Sequence, residues 1–271
     1  MTLGLGKMRT RLTPRVQVAA LGLLCLTTGV YAQGGRGGRG GPPRSAKDSA
    51  PIDLTGYWVS VVTEDWRFRM VLPPKGDYPG VPLNPAGRQI ANAWDLAKDE
   101  AAGNQCKGYG AASLMRVPSR YHITWQDDNT LKVEADAGTQ TRLLHFGGAK
   151  PSGAASLQGY SAAEWQLALG GRAGRGGQGQ PGAAAQRGGS LKIVTTNMTP
   201  GYLQKNGVPY SDQTTMTELI DVVNEADGEQ WMIVKTIIED PQYLARPYII
   251  SPNLKKQRDA SGWNPTPCSA K

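Results

Sequence analysis

The sequence predicts a mainly β protein whose antiparallel strands form a closed or strongly curved barrel with one short helix. Ten short runs are rich in β-branched and aromatic residues, and turn sequences such as Asp127-Asp128-Asn129 and Ala137-Gly138 separate several of them. Only one stretch carries helix start and stop signals, and many short strands with few helices are typical of a barrel. The predicted strands are 57–63, 66–71, 121–125, 131–135, 139–146, 164–169, 191–196, 214–223, 231–239 and 248–254.

The helix is predicted over residues 86–100, directly after Asn84-Pro85. Asparagine is a favoured N-cap residue, proline is favoured in the first helical turn, and Gly103 follows the predicted end. Apolar residues recur at the helical period, so one face of the helix can pack on the sheet. That face carries Ile90, Ala93, Trp94 and Ala97.

The register of the middle strands follows from their turns. Pairing Trp125 with Leu131 places Ile123 opposite Val133 and gives this hairpin one apolar face. The next tight turn pairs Arg142 with Val133, so the guanidinium points to the apolar side. An arginine inside a barrel needs an anionic partner or a ligand. The alternative is a one-residue slip or bulge that turns Arg142 outward.

Residues 1–32 have the features of a cleaved secretory signal peptide. Basic residues without any acidic residue precede an apolar run that ends in the small-residue pattern Val30-Tyr31-Ala32. A membrane anchor is the alternative, but the run is short and interrupted by polar residues, whereas about 20 apolar residues are needed to span a bilayer. The sequence therefore predicts a periplasmic or extracellular protein.

Cleavage would remove Cys25 and leave Cys106 and Cys268 in the mature chain. An exported protein with two cysteines most simply forms one disulfide. This disulfide would tie the C-terminal segment back to the domain, and closing so long a loop contributes up to about 5 kcal/mol in the chain-entropy model. Two separate thiols, a redox pair or a metal site are the alternatives. No Cys-x-x-Cys pattern is present, and two cysteines with scattered histidines are a poor zinc set.

The net charge of +8 is concentrated in targeting and low-complexity segments. Eleven of the 30 basic residues lie in the signal peptide and in two Gly/Arg-rich segments, 33–51 and 170–190, which leaves 19 basic and 21 acidic residues elsewhere. That balance argues against a nucleic-acid partner. We predict a disordered linker at 33–51 and a single β-rich domain at 52–271, with a low-complexity loop at 170–190. These Gly/Arg segments are expected to be weakly attracted to anionic envelope polymers.

The candidate functional residues are few. The sequence contains no Gly-x-Ser-x-Gly, His-Glu-x-x-His, Walker or dinucleotide-binding pattern, and we predict no catalytic residue, metal site or cofactor. His122 and His145 are expected on the polar face of the sheet, more than about 10 Å apart. The predicted ligand contacts are three tryptophans, one glutamate and the inward-facing arginine. They are Trp58, Trp66, Trp125, Glu64 and Arg142.

A series of motifs follows in order along the chain. They are Thr63-Glu64-Asp65-Trp66-Arg67, Pro73-Pro74-Lys75-Gly76-Asp77-Tyr78, Gly103-Asn104-Gln105-Cys106, the run 115–125, Asp127-Asp128-Asn129-Thr130-Leu131-Lys132, Ala137-Gly138-Thr139-Gln140-Thr141-Arg142, Thr195-Thr196-Asn197, Asn206-Gly207-Val208-Pro209-Tyr210-Ser211, Glu239-Asp240-Pro241 with Tyr243 and Pro247, and the run 263–268. Together they resemble a family of uncharacterised secreted bacterial proteins, common in environmental bacteria such as acidobacteria. The resemblance covers approximately residues 53–268 and brings no known activity or catalytic residue.

Gly56-Tyr57-Trp58, at the start of the first predicted strand, resembles the Gly-x-Trp opening of lipocalin-type barrels. A lipocalin-like barrel with an aromatic interior and no catalytic signature favours a small-molecule binding protein for an apolar or amphipathic ligand. A hydrolase, lyase or isomerase that uses Glu64 or Asp65, with Arg142 as an anion clamp, is one alternative. An envelope-associated structural or interaction protein, whose Gly/Arg segments bind anionic polymers, is the other.

Overall fold

The computed structural model describes residues 44–78, 80–148, 153–167 and 188–270. The signal peptide expected at 1–32 lies outside the described residues, as do most of the linker expected at 33–51 and most of the loop expected at 170–190. The expected attraction of the Gly/Arg segments to anionic polymers therefore stays a prediction.

Strands dominate the described part of the chain. They are β1 (Gly56–Val61), β2 (Arg120–Asp127), β3 (Thr130–Ala135), β4 (Gln140–Phe146), β5 (Tyr160–Leu167), β6 (Gly189–Thr196), β7 (Gly201–Gln204), β8 (Val208–Tyr210), β9 (Thr215–Asn224), β10 (Gln230–Glu239), β11 (Tyr248–Ile250) and β12 (Asn253–Lys256). Nine of them form a closed barrel in the order β1-β2-β3-β4-β5-β6-β9-β10-β12, and β12 pairs with β1 again. The mainly β, barrel-forming fold class is confirmed.

Antiparallel pairing joins the barrel strands except at β4 and β5, which run parallel over three residue pairs. The long pairing of β9 with β10 closes the barrel. The other three described strands lie outside the barrel: β11 pairs only with β10, and β7 and β8 form a separate hairpin. The sequence did not predict β7 and β8, which are only four and three residues long.

The register predicted for the middle strands is confirmed. Trp125 pairs with Leu131. Val133 of β3 pairs with Ile123 of β2 on one side and with Arg142 of β4 on the other. β5 and β6 pair antiparallel along their whole lengths, from Tyr160 opposite Thr196 to Leu167 opposite Gly189. Arg142 consequently points into the barrel rather than outward, and it is only 3% exposed.

The predicted strand at 66–71 is wrong, because residues Trp66–Met70 form a short helix, α1. Asp65 has a left-handed backbone (φ 50°) that turns the chain, and the amides of Phe68 and Arg69 donate to its carbonyl oxygen at 2.8 and 3.0 Å. A run of five residues is too short to distinguish the two-residue period of a strand from the 3.6-residue period of a helix.

The predicted helix at 86–100 divides into two helices, α2 (Pro85–Ala93) and α3 (Leu96–Ala101). The predicted cap is correct, since the Asn84 side chain accepts a hydrogen bond from the Gly87 amide at 2.9 Å. Asp95 caps the second helix by accepting from the Lys98 amide at 3.1 Å, so the chain restarts there. A 3-10 helix (Gln105–Tyr109) and α4 (Ala111–Leu114) then lead towards β2.

The predicted strand at 248–254 is also two strands, β11 and β12. Pro252 lies between them, and proline cannot donate a hydrogen bond to a β ladder. This break lets β11 pair with one stretch of β10 while β12 pairs with both β10 and β1.

Side chains fill the interior of the barrel. A cavity of about 20 Å³ beside Arg142 and Glu218 is large enough for about one water molecule. The other residues that line this cavity are aliphatic or methionine, and most of them come from the barrel strands. The largest fully buried side chains of this core are Trp58, Leu114, Tyr121, Leu131, Leu144, Leu191, Ile193 and Met232. A second apolar cluster lies among α2, α4, β7, β8 and β11, against one end of the barrel.

The predicted disulfide is confirmed: Cys106 and Cys268 are bonded, with their Cα atoms 5.1 Å apart across 162 residues of sequence. It joins the 3-10 helix to the C-terminal segment. Ser269 and Lys205 both donate to the Tyr109 hydroxyl, so further contacts hold the same region together.

We expect the double substitution Cys106→Ser with Cys268→Ser to lower the free energy of unfolding by about 2–5 kcal/mol, because the unfolded chain loses its longest covalent constraint. Urea denaturation followed by circular dichroism measures the change. Dithiothreitol should destabilise the wild type and leave the double variant unaffected. Equal midpoints for the oxidised wild type and the variant would contradict this expectation.

The buried arginine has the anionic partner that its position requires. Arg142 Nη2 donates to Glu218 Oε2, and the guanidinium also donates to Ser161 Oγ (2.9 Å) and Thr195 Oγ1 (2.7 Å). The ion pair is almost completely buried and ties β4 to β9 across β5 and β6. Hydrogen bonds to two hydroxyl groups help to offset its desolvation.

Substituting Arg142→Met should destabilise the fold by about 3–5 kcal/mol, because it leaves the Glu218 carboxylate buried without a cation. The double variant Arg142→Met with Glu218→Leu should recover most of that loss, since Ser161 and Thr195 remain hydrogen-bonded to each other. Urea midpoints of the three proteins test this order of stabilities. A single variant as stable as the wild type, or a double variant no better than the single, would show that the pair has no such role.

Candidate anion-binding site

A pocket of about 110 Å³ opens at the rim of the barrel, where β1 ends and β2 begins. We call it the rim pocket. Its walls come from α1 and the residues after it, from the turn that joins α4 to β2, and from the end of β7. The lining residues are Phe68, Arg69, Met70, Val71, Leu72, Pro73, Gly108, Ser113, Arg116, Val117, Pro118, Leu203, Gln204 and Lys205.

Two arginines enter the rim pocket from different elements. Arg69 belongs to α1 and Arg116 follows α4, and the two residues are only 9% and 7% exposed. Arg69 Nε donates to the Arg116 carbonyl oxygen at 2.8 Å, and Arg116 Nη1 donates to the Phe68 carbonyl oxygen at 3.4 Å. Each arginine therefore binds the backbone beside the other, which holds the two guanidinium groups close together.

Several hydrogen-bond donors of this arginine pair are unused. Arg69 Nη1 and Nη2 and Arg116 Nε are buried without a hydrogen-bond partner. The side-chain amide of Gln204, in the same pocket, has a partner on neither its nitrogen nor its oxygen. Because buried polar atoms are almost always hydrogen-bonded, this cluster of unused groups beside a cavity makes the rim pocket the candidate binding site.

The charge of the arginine pair is only partly balanced. Burial lowers the pKa of Arg69, and the positive charge of Arg116 lowers it further, while Glu64 and Asp65 oppose the shift. Asp65 Oδ2 lies 3.4 Å from Arg116 Nη2, but the aspartate side chain is 44% exposed. Because this ion pair is long and its carboxylate is partly exposed, it offsets the positive charge only in part, which favours an anion in the rim pocket.

Tyr248 of β11 adds a buried hydroxyl close to this cluster. Burial raises the pKa of Tyr248, so the phenol stays neutral near pH 7 and can donate a hydrogen bond. Its hydroxyl lies near the side chains of Gln204 and Arg116 but makes no well-formed hydrogen bond. The region thus combines two cations with neutral donors and acceptors.

The remaining walls of the rim pocket are mostly apolar. Met70 and Val71, which lead away from the buried arginines, are 60% and 63% exposed, although they are large hydrophobic residues. The other apolar lining residues are Phe68, Leu72, Pro73, Val117, Pro118 and Leu203. A buried cationic end and an exposed apolar edge match a molecule that has an anionic head and an apolar body.

None of the five predicted ligand contacts lines the rim pocket. Trp58 lies in the barrel core and its Nε1 donates to the Leu54 carbonyl oxygen. Trp125 is half-buried and packs with Phe146 and Trp165. The structure assigns these two tryptophans to packing, and their role as ligand contacts stays a prediction.

The other three predicted contacts also have different surroundings. Arg142 lies inside the barrel with Glu218 as its partner. Glu64 accepts a hydrogen bond from the Ser251 amide at 3.0 Å, and Trp66 is exposed on α1 next to the rim pocket. Among the described residues, no contact joins Arg142 to Glu64 or Asp65.

Each of the two histidines stacks on a tyrosine ring outside the core. His122 stacks on Tyr57, with ring centroids 4.2 Å apart, and His145 stacks on Tyr160 at 4.9 Å. Within the described ranges, no group of three or more histidine, cysteine, aspartate or glutamate residues is arranged to hold a metal ion.

Comparison of the chain with protein-family models, curated proteins and solved structures finds no match. In the described part of the chain, none of the helices has the length and apolar character needed to cross a bilayer. The functional conclusion therefore depends on the geometry of the rim pocket.

Proposed function

We propose that this protein is a periplasmic or extracellular binding protein that holds a small amphipathic anion in the rim pocket. One observation supports this proposal above the others. Arg69 and Arg116 are both more than nine-tenths buried beside an open cavity, and three of their nitrogen atoms have no partner.

Such an arrangement is unfavourable without an anion. Burying a charged group costs several kcal/mol unless it is paired, and two neighbouring cations repel each other as well. A carboxylate or phosphate group would accept hydrogen bonds from the planar arginine fork and neutralise the excess charge. Sites that bind ligands commonly keep local arrangements that cost stability in the free protein.

The size and walls of the rim pocket indicate the rest of the ligand. About 110 Å³ is somewhat less than the roughly 150 Å³ apolar cavity that accommodates benzene. The head group and a few carbon atoms therefore fit inside, and a longer body extends along Met70 and Val71. The sequence predicts an apolar or amphipathic ligand inside the barrel. The rim pocket favours the amphipathic type and holds it at the rim of the barrel instead of in the interior.

The filled interior is the reason for placing the ligand at the rim. The cavity beside Arg142 is about 20 Å³, and the arginine there already pairs with Glu218. The same pairing leaves Arg142 unable to act as an anion clamp for Glu64 or Asp65, so no observation favours the enzymatic alternative. The signal-peptide pattern and the disulfide support an extracytoplasmic location.

Isothermal titration calorimetry with octanoate tests the proposed function. We expect octanoate to bind the wild type and 1-octanol, which has the same chain length without the charge, to bind at least about tenfold more weakly. Arg69→Met and Arg116→Met should each weaken octanoate binding about 10- to 100-fold, because each removes charged hydrogen bonds of about 1.5–3 kcal/mol.

Arg88→Met is the matched control, because Arg88 is exposed on α2 away from the rim pocket and should bind octanoate like the wild type. Circular dichroism confirms that each variant is folded. The proposed function fails if octanoate does not bind, if 1-octanol binds equally well, or if both arginine variants keep the wild-type affinity.

A further inference from the structure

We propose that the exposed side of α1 docks the protein onto an anionic lipid membrane. This surface, which we call the α1 face, consists of Trp66, Met70 and Val71 with the neighbouring cations Arg67 and Lys75. The inference does not depend on the anion proposed for the rim pocket, because it follows from exposed side chains and not from the buried arginines.

Large apolar side chains are concentrated on the α1 face. Trp66, Met70 and Val71 are 64%, 60% and 63% exposed. Trp66 and Met70 are four residues apart in the helix and so lie on the same side, and Met70 and Val71 both line the rim pocket. The other exposed large hydrophobic residues of the described chain occur singly along the sequence. They are Ile90, Leu167, Val223 and Ile249. Single exposed hydrophobic residues are ordinary, whereas a contiguous group marks an interaction surface.

The charged side chains of the α1 face are positive. Arg67 and Lys75 are exposed, and neither forms an ion pair with a carboxylate of the described residues. Asp65 already pairs with a buried arginine, Glu64 accepts a hydrogen bond from a backbone amide, and Asp77 is half-buried. Two unpaired cations beside exposed apolar side chains complement an anionic surface.

The composition and size of the α1 face favour a membrane over a protein partner. A tryptophan ring is apolar and carries one polar N–H group, which suits it to the boundary between lipid head groups and acyl chains. Arginine and lysine beside it bind anionic head groups at the same level. Five side chains are few for a stable protein interface, which uses about 20–30 residues on each side. Membrane binding instead increases with each apolar side chain that inserts.

Docking through the α1 face directs the rim pocket towards the bilayer. Met70 and Val71 belong both to this face and to the lining of the pocket. When they insert at the boundary of the acyl chains, the opening of the pocket lies at the level of the lipid head groups. An amphipathic molecule of the membrane then has a short path between the bilayer and the pocket.

The opposite end of the barrel provides matched controls. β2 and β4 both run away from the rim because each is antiparallel to β3, and β5 runs parallel to β4. Leu167 therefore ends β5 far from the α1 face, although it is 62% exposed. Lys47 and the nearby Arg44 are exposed at the same end, since the Lys47 amide donates to the carbonyl oxygen of Asp128 between β2 and β3.

Vesicle flotation measures the proposed contact. The protein is purified after export, in the form that begins at Gln33, so that the apolar run of the predicted signal peptide is absent. We expect the wild type to bind vesicles of equimolar phosphatidylcholine and phosphatidylglycerol at least about tenfold more tightly than vesicles of phosphatidylcholine alone. Trp66→Ser and Met70→Ser should each weaken binding to the anionic vesicles at least about fivefold, because less apolar area inserts.

The charged side chains are tested in the same assay. Arg67→Gln with Lys75→Gln should lower the preference for anionic vesicles at least about fivefold, because the attraction to anionic lipid is lost. The controls Leu167→Ser and Arg44→Gln with Lys47→Gln should bind like the wild type. Circular dichroism confirms that each variant is folded.

Three results would overturn the inference. The wild type does not float with the anionic vesicles, the folded α1-face variants bind as tightly as the wild type, or sedimentation velocity shows a dimer that Trp66→Ser dissociates. The last result would mean that the α1 face binds a second copy of the chain. The octanoate titration contains no lipid, so it tests the proposed function separately.

Discussion

The pairing of β9 with β10 is the constraint on which the rest of the structure depends. It joins ten residues of each strand, from Thr215 opposite Glu239 to Asn224 opposite Gln230, and turns an open sheet into a closed barrel. Closure at nine strands brings the inward residues together, and they fill the interior almost completely. Glu218 lies on β9 and meets Arg142 across this interior. The closed and filled barrel is the reason why we propose the binding site at the rim.

The rim pocket is built mainly by the connection between β1 and β2. This connection contains α1 to α4 and supplies Asp65, Arg69 and Arg116, while β7 and β11 supply Gln204 and Tyr248 from later in the chain. The second apolar cluster includes residues of α2, α4, β7 and β11, and the disulfide joins the 3-10 helix to the C-terminal segment. A stable barrel can therefore carry a peripheral candidate site in which two buried cations, only partly balanced by Asp65, lower stability in the free protein.

Local sequence signals predicted the barrel but not the site. Two-residue alternation and turn residues give the strands and even the register that turns Arg142 inward. Its partner Glu218 is 76 residues away, and no local rule connects the two. The sequence predicts a strand at Arg69, because a run of five residues fits the two-residue period of a strand as well as the 3.6-residue period of a helix. Arg69 and Arg116 meet through a contact between residues 47 positions apart, so their shared burial and unused donors became visible only in the folded chain.

Arginine side-chain NMR during a titration with octanoate tests the central claim most directly, because each Nε–Hε group reports on its own surroundings. A ligand at the rim should shift the signals of Arg69 and Arg116 in a saturable manner and leave Arg142 unchanged. A saturable shift confined to Arg142 would place the ligand inside the barrel and contradict the account. An unchanged spectrum would remove the anion site altogether.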